Sequence, residues 1–330
     1  MENSDYEKNF TSTGDKLFLH PEALKKFMEE GIATPIVLHI MPTSQCNLRC
    51  SFCSVKDRQI HENLNLEKTI LPTVDKLKKR GLKSVILSGG GEPTLYPQFE
   101  NMINGLKERN LEIGLITNGT LFSRYEPALF EKMEWIRVSI NSLDYISDIK
   151  IPKLKHPTLG FSYIITEKDT TREGLAKIKK LANELNVSYV RLLPDCAQPL
   201  ETLKQDHKKV GELAKELGEP FFHQYKVHKT PESCYLGYFH PVLYCDGNIY
   251  PCDSLVLNDF DNQQFHKEFM LCEANDIDKL YKEKVSSLVD TKKMCPNCVF
   301  ERQNSLLQAV LEGKYSTIPK IEEIQHKNFI

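Results

Sequence analysis

Between Pro35 and Leu217, short runs rich in Val, Ile and Leu alternate with amphipathic stretches of helical period, and this alternation restricts the fold more than any other feature of the chain. Strands joined through helices stack in parallel, with the helices packed on the faces of the sheet. Strands are expected at 36–41, 84–87, 112–117, 135–140, 160–165 and 189–193, with helical stretches at 67–80, 97–109, 125–132, 172–184 and 203–217. Pro72 falls inside the first helical stretch, which predicts a kink or a late start there. Six such units make an α/β parallel sheet, curled into a partial barrel or left open. In both forms chemistry belongs at the C-terminal ends of the strands.

The flanks read differently. The first 20 residues are polar and expected to be ragged, and a short helix follows between Pro21 and Gly31. After Leu217 the rhythm breaks. Segments 241–245 and 248–252 flank Asp246-Gly247, a two-residue hairpin signal, and helical stretches are expected at 276–288 and 299–311. A composition shift near 218–230 divides the chain into an N-terminal extension (1–34), a core domain (35–220), a small α+β domain (221–315) and a polar tail (316–330). With 43 Lys and Arg against 45 Asp and Glu, the net charge of −2 supplies no field for a nucleic-acid partner. The basic run Lys76-Leu77-Lys78-Lys79-Arg80 reads as a solvated helix face. No apolar run approaches the ~18 residues that span a bilayer. The N-terminus carries acids and amides where a signal peptide would be apolar. The expectation is a cytoplasmic protein with no membrane partner.

In that compartment ten cysteines point to metal or redox chemistry rather than disulfides. Cys46, Cys50 and Cys53 occur as CNLRCSFC directly after the first strand. Three thiolates can join a distant fourth ligand on zinc, which prefers four closed ligands. On a cubane iron–sulfur cluster they leave one iron open to substrate or cofactor. Polar groups gather on the same rim. Ser88-Gly89-Gly90-Gly91-Glu92-Pro93 ends the second strand, Thr117-Asn118-Gly119 the third and Arg137-Val138-Ser139-Ile140-Asn141 the fourth, and the glycines allow a ligand close to the backbone.

This combination resembles the radical S-adenosylmethionine (radical SAM) superfamily over residues 35–195. The resemblance implies a partial (β/α)6 TIM-like barrel in which Cys46, Cys50 and Cys53 hold a 4Fe–4S cluster whose open iron chelates SAM. It places Phe52 against the adenine, matches Gly90, Gly91 and Glu92 to the GGE motif that receives the methionine amino group, and matches Asn118 and Ser139 to positions contacting ribose or carboxylate. It also implies a flavodoxin- or ferredoxin-type electron donor.

Cys234, Cys252, Cys295 and Cys298 form a second set, as C-x12-G-x4-C followed by CxxC. Four thiolates suit structural zinc as well as iron and sulfide. The pattern resembles the auxiliary-cluster domains called SPASM and Twitch. With no further cysteine beyond Cys298 the match is to the single-cluster Twitch type, and the layout is similar to that of the 2-deoxy-scyllo-inosamine dehydrogenases. The likeness implies a second 4Fe–4S cluster on these four residues.

Cys196, Cys245 and Cys272 remain, and buried inert thiols are their ordinary role. Some radical SAM epimerases use a thiol to return hydrogen, so these three are candidate hydrogen donors. Arg191, with Asp195 and His39, is a candidate for orienting substrate. The implied function is an oxidoreductase that dehydrogenates a small molecule, sugar- or aminocyclitol-like, or a short peptide, with the auxiliary cluster accepting an electron. The alternatives are an epimerase with a cysteine donor, a maturase of ribosomal peptides or sulfatases, and a non-catalytic iron–sulfur or zinc protein. The residues before the first strand are too few for the winged-helix leader-binding module of many maturases, and the second auxiliary cluster is missing.

Overall fold

The computed structural model describes residues 3–55, 62–196, 198–226, 228–256, 268–295 and 297–330. Among these the strands are β1 (Val37–Ile40), β2 (Ser84–Leu87), β3 (Glu112–Thr117), β4 (Trp135–Ser139), β5 (Thr158–Ile165), β6 (Tyr189–Pro194), β7 (Phe221–His223), β8 (Val242–Leu243), β9 (Asn248–Tyr250) and β10 (Cys272–Glu273). They form one sheet in the order β10-β9-β8-β1-β2-β3-β4-β5-β6-β7. Neighbours from β1 through β7 are parallel, as the crossover pattern requires. All of β1 and β2 is buried, so both faces of the sheet are covered. The sheet curls. His39, Ile86, Ile116, Arg137 and Arg191, from five strands, face a common cavity of about 560 Å³. This is the lumen of a partial TIM-like barrel.

The helices follow local signals. Thr171 Oγ1 accepts the Gly174 N–H at 3.0 Å and starts helix Arg172–Glu184. Helix Pro21–Glu30 begins on its proline and stops at Gly31, whose φ of +67° is the left-handed conformation that glycine adopts freely. Pro72 is resolved as a late start: Leu66–Ile70 is a π-helical turn, and the α-helix Leu71–Lys78 carries Pro72 in its first turn.

The flanks depart from the sequence reading. Residues 3–20 form helix Asn3–Phe10 and the 3-10 turn Gly14–Leu19. Tyr6 stacks on Phe222 at 5.3 Å, Phe10 on Tyr189 at 4.6 Å, and Leu17 is fully buried. A few apolar residues spaced through a polar stretch suffice to anchor it. The C-terminal residues also pack in. Phe329 and Ile330 are buried, Phe329 meets Trp135 at 5.3 Å, and the Ser84 hydroxyl donates to the Asn328 carbonyl at 2.6 Å. They close the barrel at the N-terminal ends of β2 and β4.

Two strands were not read from sequence: β7, only three residues long, and β10, only two. The expected hairpin is present with a shorter ladder. Its strands stop at Leu243 and resume at Asn248, and Tyr244–Gly247 turns on a 3.0 Å bond from Gly247 N–H to the Tyr244 carbonyl. The helix expected at 276–288 is instead a 3-10 segment, Ala274–Tyr281, packed on helix Leu71–Lys78, with Arg80 just beyond that helix pairing with Asp278 at 2.9 Å. The hairpin and β10 extend the barrel sheet itself, because β8 runs parallel to β1 with His39 opposite Val242.

Candidate functional site

The cysteine loop leaves β1 at the C-terminal rim. The Cys53 N–H donates to the Cys50 carbonyl at 3.1 Å, making a tight turn that holds half-buried Phe52. The glycine run after β2 docks beneath it. A side chain on Gly91 would overlap the Gln45 carbonyl, and the Glu92 N–H donates to that same carbonyl at 2.7 Å. Gly89 is equally closed to a side chain by the Gly91 carbonyl, so the loop folds back on itself around Gly90.

Glu92 is 2% exposed and ties three strand ends together. Its Oε1 accepts the Thr94 N–H at 3.0 Å and the hydroxyls of Thr94 and Thr117 at 2.6 Å each. Oε2 accepts the Asn118 N–H at 2.7 Å. Both carboxylate oxygens are therefore engaged by the protein, although burial pushes the group's pKa up. Asn118 turns toward the cysteine loop, with Nδ2 donating to Asn47 Oδ1 at 2.9 Å and lying 3.9 Å from Cys46 Sγ. Ser139 is half-buried at the end of β4, in register with Ser162.

The three thiols lie within electrostatic reach of one another. Burial first, then Cys53 and Cys46, push Cys50 up to about 12, and burial raises Cys46 as well. Among the described residues no three His, Cys, Asp or Glu side chains converge tightly enough for a single metal ion. Thiolates on a cubane each meet a different iron and need only surround it. Three neighbouring thiols on one rim loop, with the Gly91 backbone packed directly beneath against Ser44 and Gln45, fit such a cluster with SAM.

Residues that sequence reasoning did not single out hold the far side of the loop. The Ser51 N–H donates to the Tyr145 hydroxyl at 2.7 Å and the Ser51 hydroxyl to Asp169 Oδ2 at 2.8 Å. Asp169 follows the end of β5, so the strand-end rule extended by one strand would have found it.

The second set comes together around a small pocket lined by Cys234, Cys252, Cys295 and Cys298. Pro296, between the last two, lies outside the described residues. Close backbone approach makes the convergence possible. A Cβ on Gly237 would stand 2.7 Å from the Cα and carbonyl oxygen of Pro251, so only glycine lets the chain after Cys234 reach the chain before Cys252. Asn304, another residue not foreseen, accepts the Tyr235 and Leu236 N–H groups at 2.7 and 2.9 Å and orders the same turn. Burial pushes Cys234 up and Cys295 up to about 11, with nearby thiols adding to both. This pocket adjoins the lumen: Phe300 lines both cavities, and Asp253, the residue after Cys252, lines the lumen.

The candidate hydrogen donors are scattered. Cys196 is exposed beyond β6, within electrostatic reach of Lys226 and Asp253. Cys245 is buried in an apolar cluster with Met41, Tyr244 and Tyr250. Cys272 sits on β10 opposite Ile249, at the sheet's outer edge. Arg191 faces the lumen, as does His39, which is hydrogen-bonded to the Ser88 hydroxyl. No helix among the described residues is long and apolar enough to cross a membrane.

Residues 40–191 match the family model described as the radical SAM superfamily. The tungsten-containing aldehyde ferredoxin oxidoreductase cofactor-modifying protein of Pyrococcus furiosus is 28% identical over 183 residues, covering 54% of this chain and 47% of that protein. An S-adenosylmethionine-dependent nucleotide dehydratase from a Thermoplasmatales archaeon is 30% identical over 148 residues, 44% of this chain and 50% of the relative. The chain thus spans about half the length of the curated relatives it matches. In fold it resembles Streptococcus suis SuiB bound to S-adenosylmethionine, with TM-score 0.52, 16% identity, and 75% and 69% of the two chains covered. It also resembles anSMEcpe with bound AdoMet and the Cp18Cys peptide, with TM-score 0.51, 16% identity and coverage of 82% and 88%. The cysteine loop at the rim and the matched segment agree: residues 40–191 are a radical SAM domain by the family model, and members of that superfamily use SAM and a 4Fe–4S cluster.

Proposed function

We propose that the chain is a radical SAM oxidoreductase with one auxiliary iron–sulfur cluster, dehydrogenating a substrate held in the barrel lumen. The observation that carries this is the convergence of Cys234, Cys252, Cys295 and Cys298 on a pocket that shares the Phe300 wall with the lumen. Cys46, Cys50 and Cys53 would hold the first cluster, the Gly90–Gly91 backbone and Asn118 would border SAM beside Phe52 and Ser139, and the second four cysteines would hold the auxiliary cluster. So bound, these groups supply a carbon radical that removes a hydrogen atom from the substrate and an acceptor for the electron that dehydrogenation releases.

The protein's own contribution is placement and exclusion. Glu92 fixes the ends of β2 and β3 relative to each other through four accepted hydrogen bonds, so the glycine cradle and Asn118 keep one geometry. The barrel wall, the N-terminal segment and helix Glu301–Leu311 line the lumen in which the substrate would sit.

The test is iron, sulfide and zinc analysis of anaerobically reconstituted protein, together with 5′-deoxyadenosine release under dithionite. Two 4Fe–4S clusters give about eight iron atoms per chain. Cys295→Ala is expected to lose about half of that iron and still release 5′-deoxyadenosine. Zinc at the second site, or no 5′-deoxyadenosine from the intact protein, would overturn the proposal. Cys196 beside Lys226 gives the epimerase reading its own observation. A product of unchanged mass carrying solvent deuterium, lost in Cys196→Ala, would select it.

A further inference from the structure

The lumen is electrostatically one-sided in a chain whose net charge is −2. Among the described residues lining it are six lysines and arginines against three carboxylates, Glu7, Asp15 and Asp253. We infer that the lumen is built to hold an anionic group of the substrate, a carboxylate or phosphate seated between Arg191 and Lys226. The inference rests on the radical SAM reading only for calling that molecule the substrate; the anion site itself stands on the cavity.

Arg191 projects from β6 with Nη1 donating to Gln224 Oε1 at 2.9 Å, while its Nε is buried without a hydrogen-bond partner. Burial, then the nearby Arg137 charge, hold its pKa down to about 9. Lys226 forms no hydrogen bond or ion pair among the described residues, and burial followed by Arg191 pushes its amine down. Arg137, by contrast, is committed to the wall: Nε donates to the Tyr189 hydroxyl at 3.0 Å and Nη2 to the Phe10 carbonyl at 2.6 Å. Lys16, 1% exposed, donates to the Asn9 carbonyl at 3.2 Å, and burial followed by Arg137 holds its amine down to about 7, so it adds little fixed charge. Asp253 is the carboxylate within electrostatic reach of both Arg191 and Lys226, and its Oδ1 is itself buried without a hydrogen-bond partner.

Desolvated cations that outnumber their carboxylates destabilise a fold unless something else supplies the counter-charge. A guanidinium edge and an ammonium presented to a cavity match the oxygens of a carboxylate or phosphate. The same field repels an amine, so an aminocyclitol-like substrate, the expectation drawn from layout, is disfavoured.

The experiment is calorimetric titration and thermal melting of the anaerobically purified full chain, at low salt, with inorganic phosphate, glutarate, neutral myo-inositol and cationic ethylenediamine. Phosphate or glutarate is expected to bind at one site and raise Tm, with the better of the two identifying the head group, while inositol and ethylenediamine do neither. Arg191→Gln and Lys226→Gln are each expected to weaken that binding at least tenfold. The ligand-free Tm and far-UV spectrum of each variant are measured alongside, and a variant that keeps the parent's fold while losing the anion keeps misfolding distinguishable from loss of the site. Equal binding by the variants, or no anion binding by the parent protein, overturns the inference. These readouts need no SAM cleavage, so they hold or fail separately from the iron count and 5′-deoxyadenosine test.

Discussion

Glu92→Gln isolates how the rim is held together. The substitution keeps the shape and removes one acceptor oxygen and the charge. In the native site Oε1 serves the Thr94 N–H and two hydroxyls, and Oε2 serves the Asn118 N–H. Hydroxyls rotate to suit a new partner, but the two backbone N–H groups lie on opposite oxygens and cannot. Whichever way the glutamine amide is turned, its NH2 faces one of them, so one buried N–H is left without an acceptor. An orphaned buried donor costs about 1–3 kcal/mol, and the bonds that survive lose their charge assistance, worth about another 1 kcal/mol together. The expected loss is therefore about 2–4 kcal/mol of unfolding free energy. Urea unfolding read from the fluorescence of Trp135, the chain's single tryptophan, measures it without cofactors, and the residue's burial on β4 makes it a reporter of the barrel core. A loss below about 0.5 kcal/mol would refute the reasoning, because it would mean that the carboxylate does not receive those four bonds and is free to face a ligand.

Two further outcomes follow from the packing. His207 and His223 are buried with ring nitrogens 2.9 Å apart, and burial holds both near a pKa of about 4, below the ordinary 6.5. Groups depressed in the folded state contribute stability that is complete above pH 6.5 and is lost as pH falls toward 4, at up to about 1.4 kcal/mol per pH unit for each histidine. Urea midpoints should fall across that window in the native chain and flatten in the His207→Gln/His223→Gln double variant; parallel curves would exclude the pair as the source. Gly237→Ala places a methyl group 2.7 Å from the Pro251 backbone, between the approaches to Cys234 and Cys252. The parting of the two strands of chain is expected to cost about 1–3 kcal/mol and to lower metal content at the second site while SAM cleavage persists. Unchanged metal content would show that the four cysteines do not act together.

What could be read from sequence was whatever has a period or a spacing. β2 and β3 lie at the expected 84–87 and 112–117, and helix Arg172–Glu184 at the expected 172–184, because alternating burial is written residue by residue along the chain. Cysteine spacing marked out both thiol sets for the same reason. What escaped depends on partners far away in sequence. The three-residue β7 has too few positions for any pattern and exists because β6 offers it a ladder. Phe10 and Phe329 look like isolated apolar residues in polar tails until Tyr189 and Trp135 receive them. The motif marks Glu92 as a ligand contact, while its four protein donors, two from Thr94 after β2 and one each from Thr117 and Asn118 at the end of β3, follow no spacing rule. The charge of the lumen is equally hidden, since Arg137, Arg191 and Lys226 are separated by long helical segments and meet only when the sheet curls.

The register at the β1 edge gives the two thiol sites a fixed relation. β1 runs directly into the Cys46 loop, and the hairpin beside it runs through β9 into Cys252. The His39 N–H donates to the Pro241 carbonyl at 3.0 Å and the Met41 N–H to the Leu243 carbonyl at 2.9 Å. Met41, the last residue before the loop segment turns outward, packs in the same apolar cluster as Cys234, Cys245 and Tyr250. A one-residue slip of β8 along β1 would reverse every side chain of the hairpin strand and break this cluster, so the buried face locks the register. The sheet that forms the lumen wall therefore also sets how far the second thiol pocket stands from the first. A separately folded appendage on a linker would leave that separation free to vary. If the second site serves a reaction in the lumen as proposed, the strand pairing of β8 with β1 supplies the fixed separation.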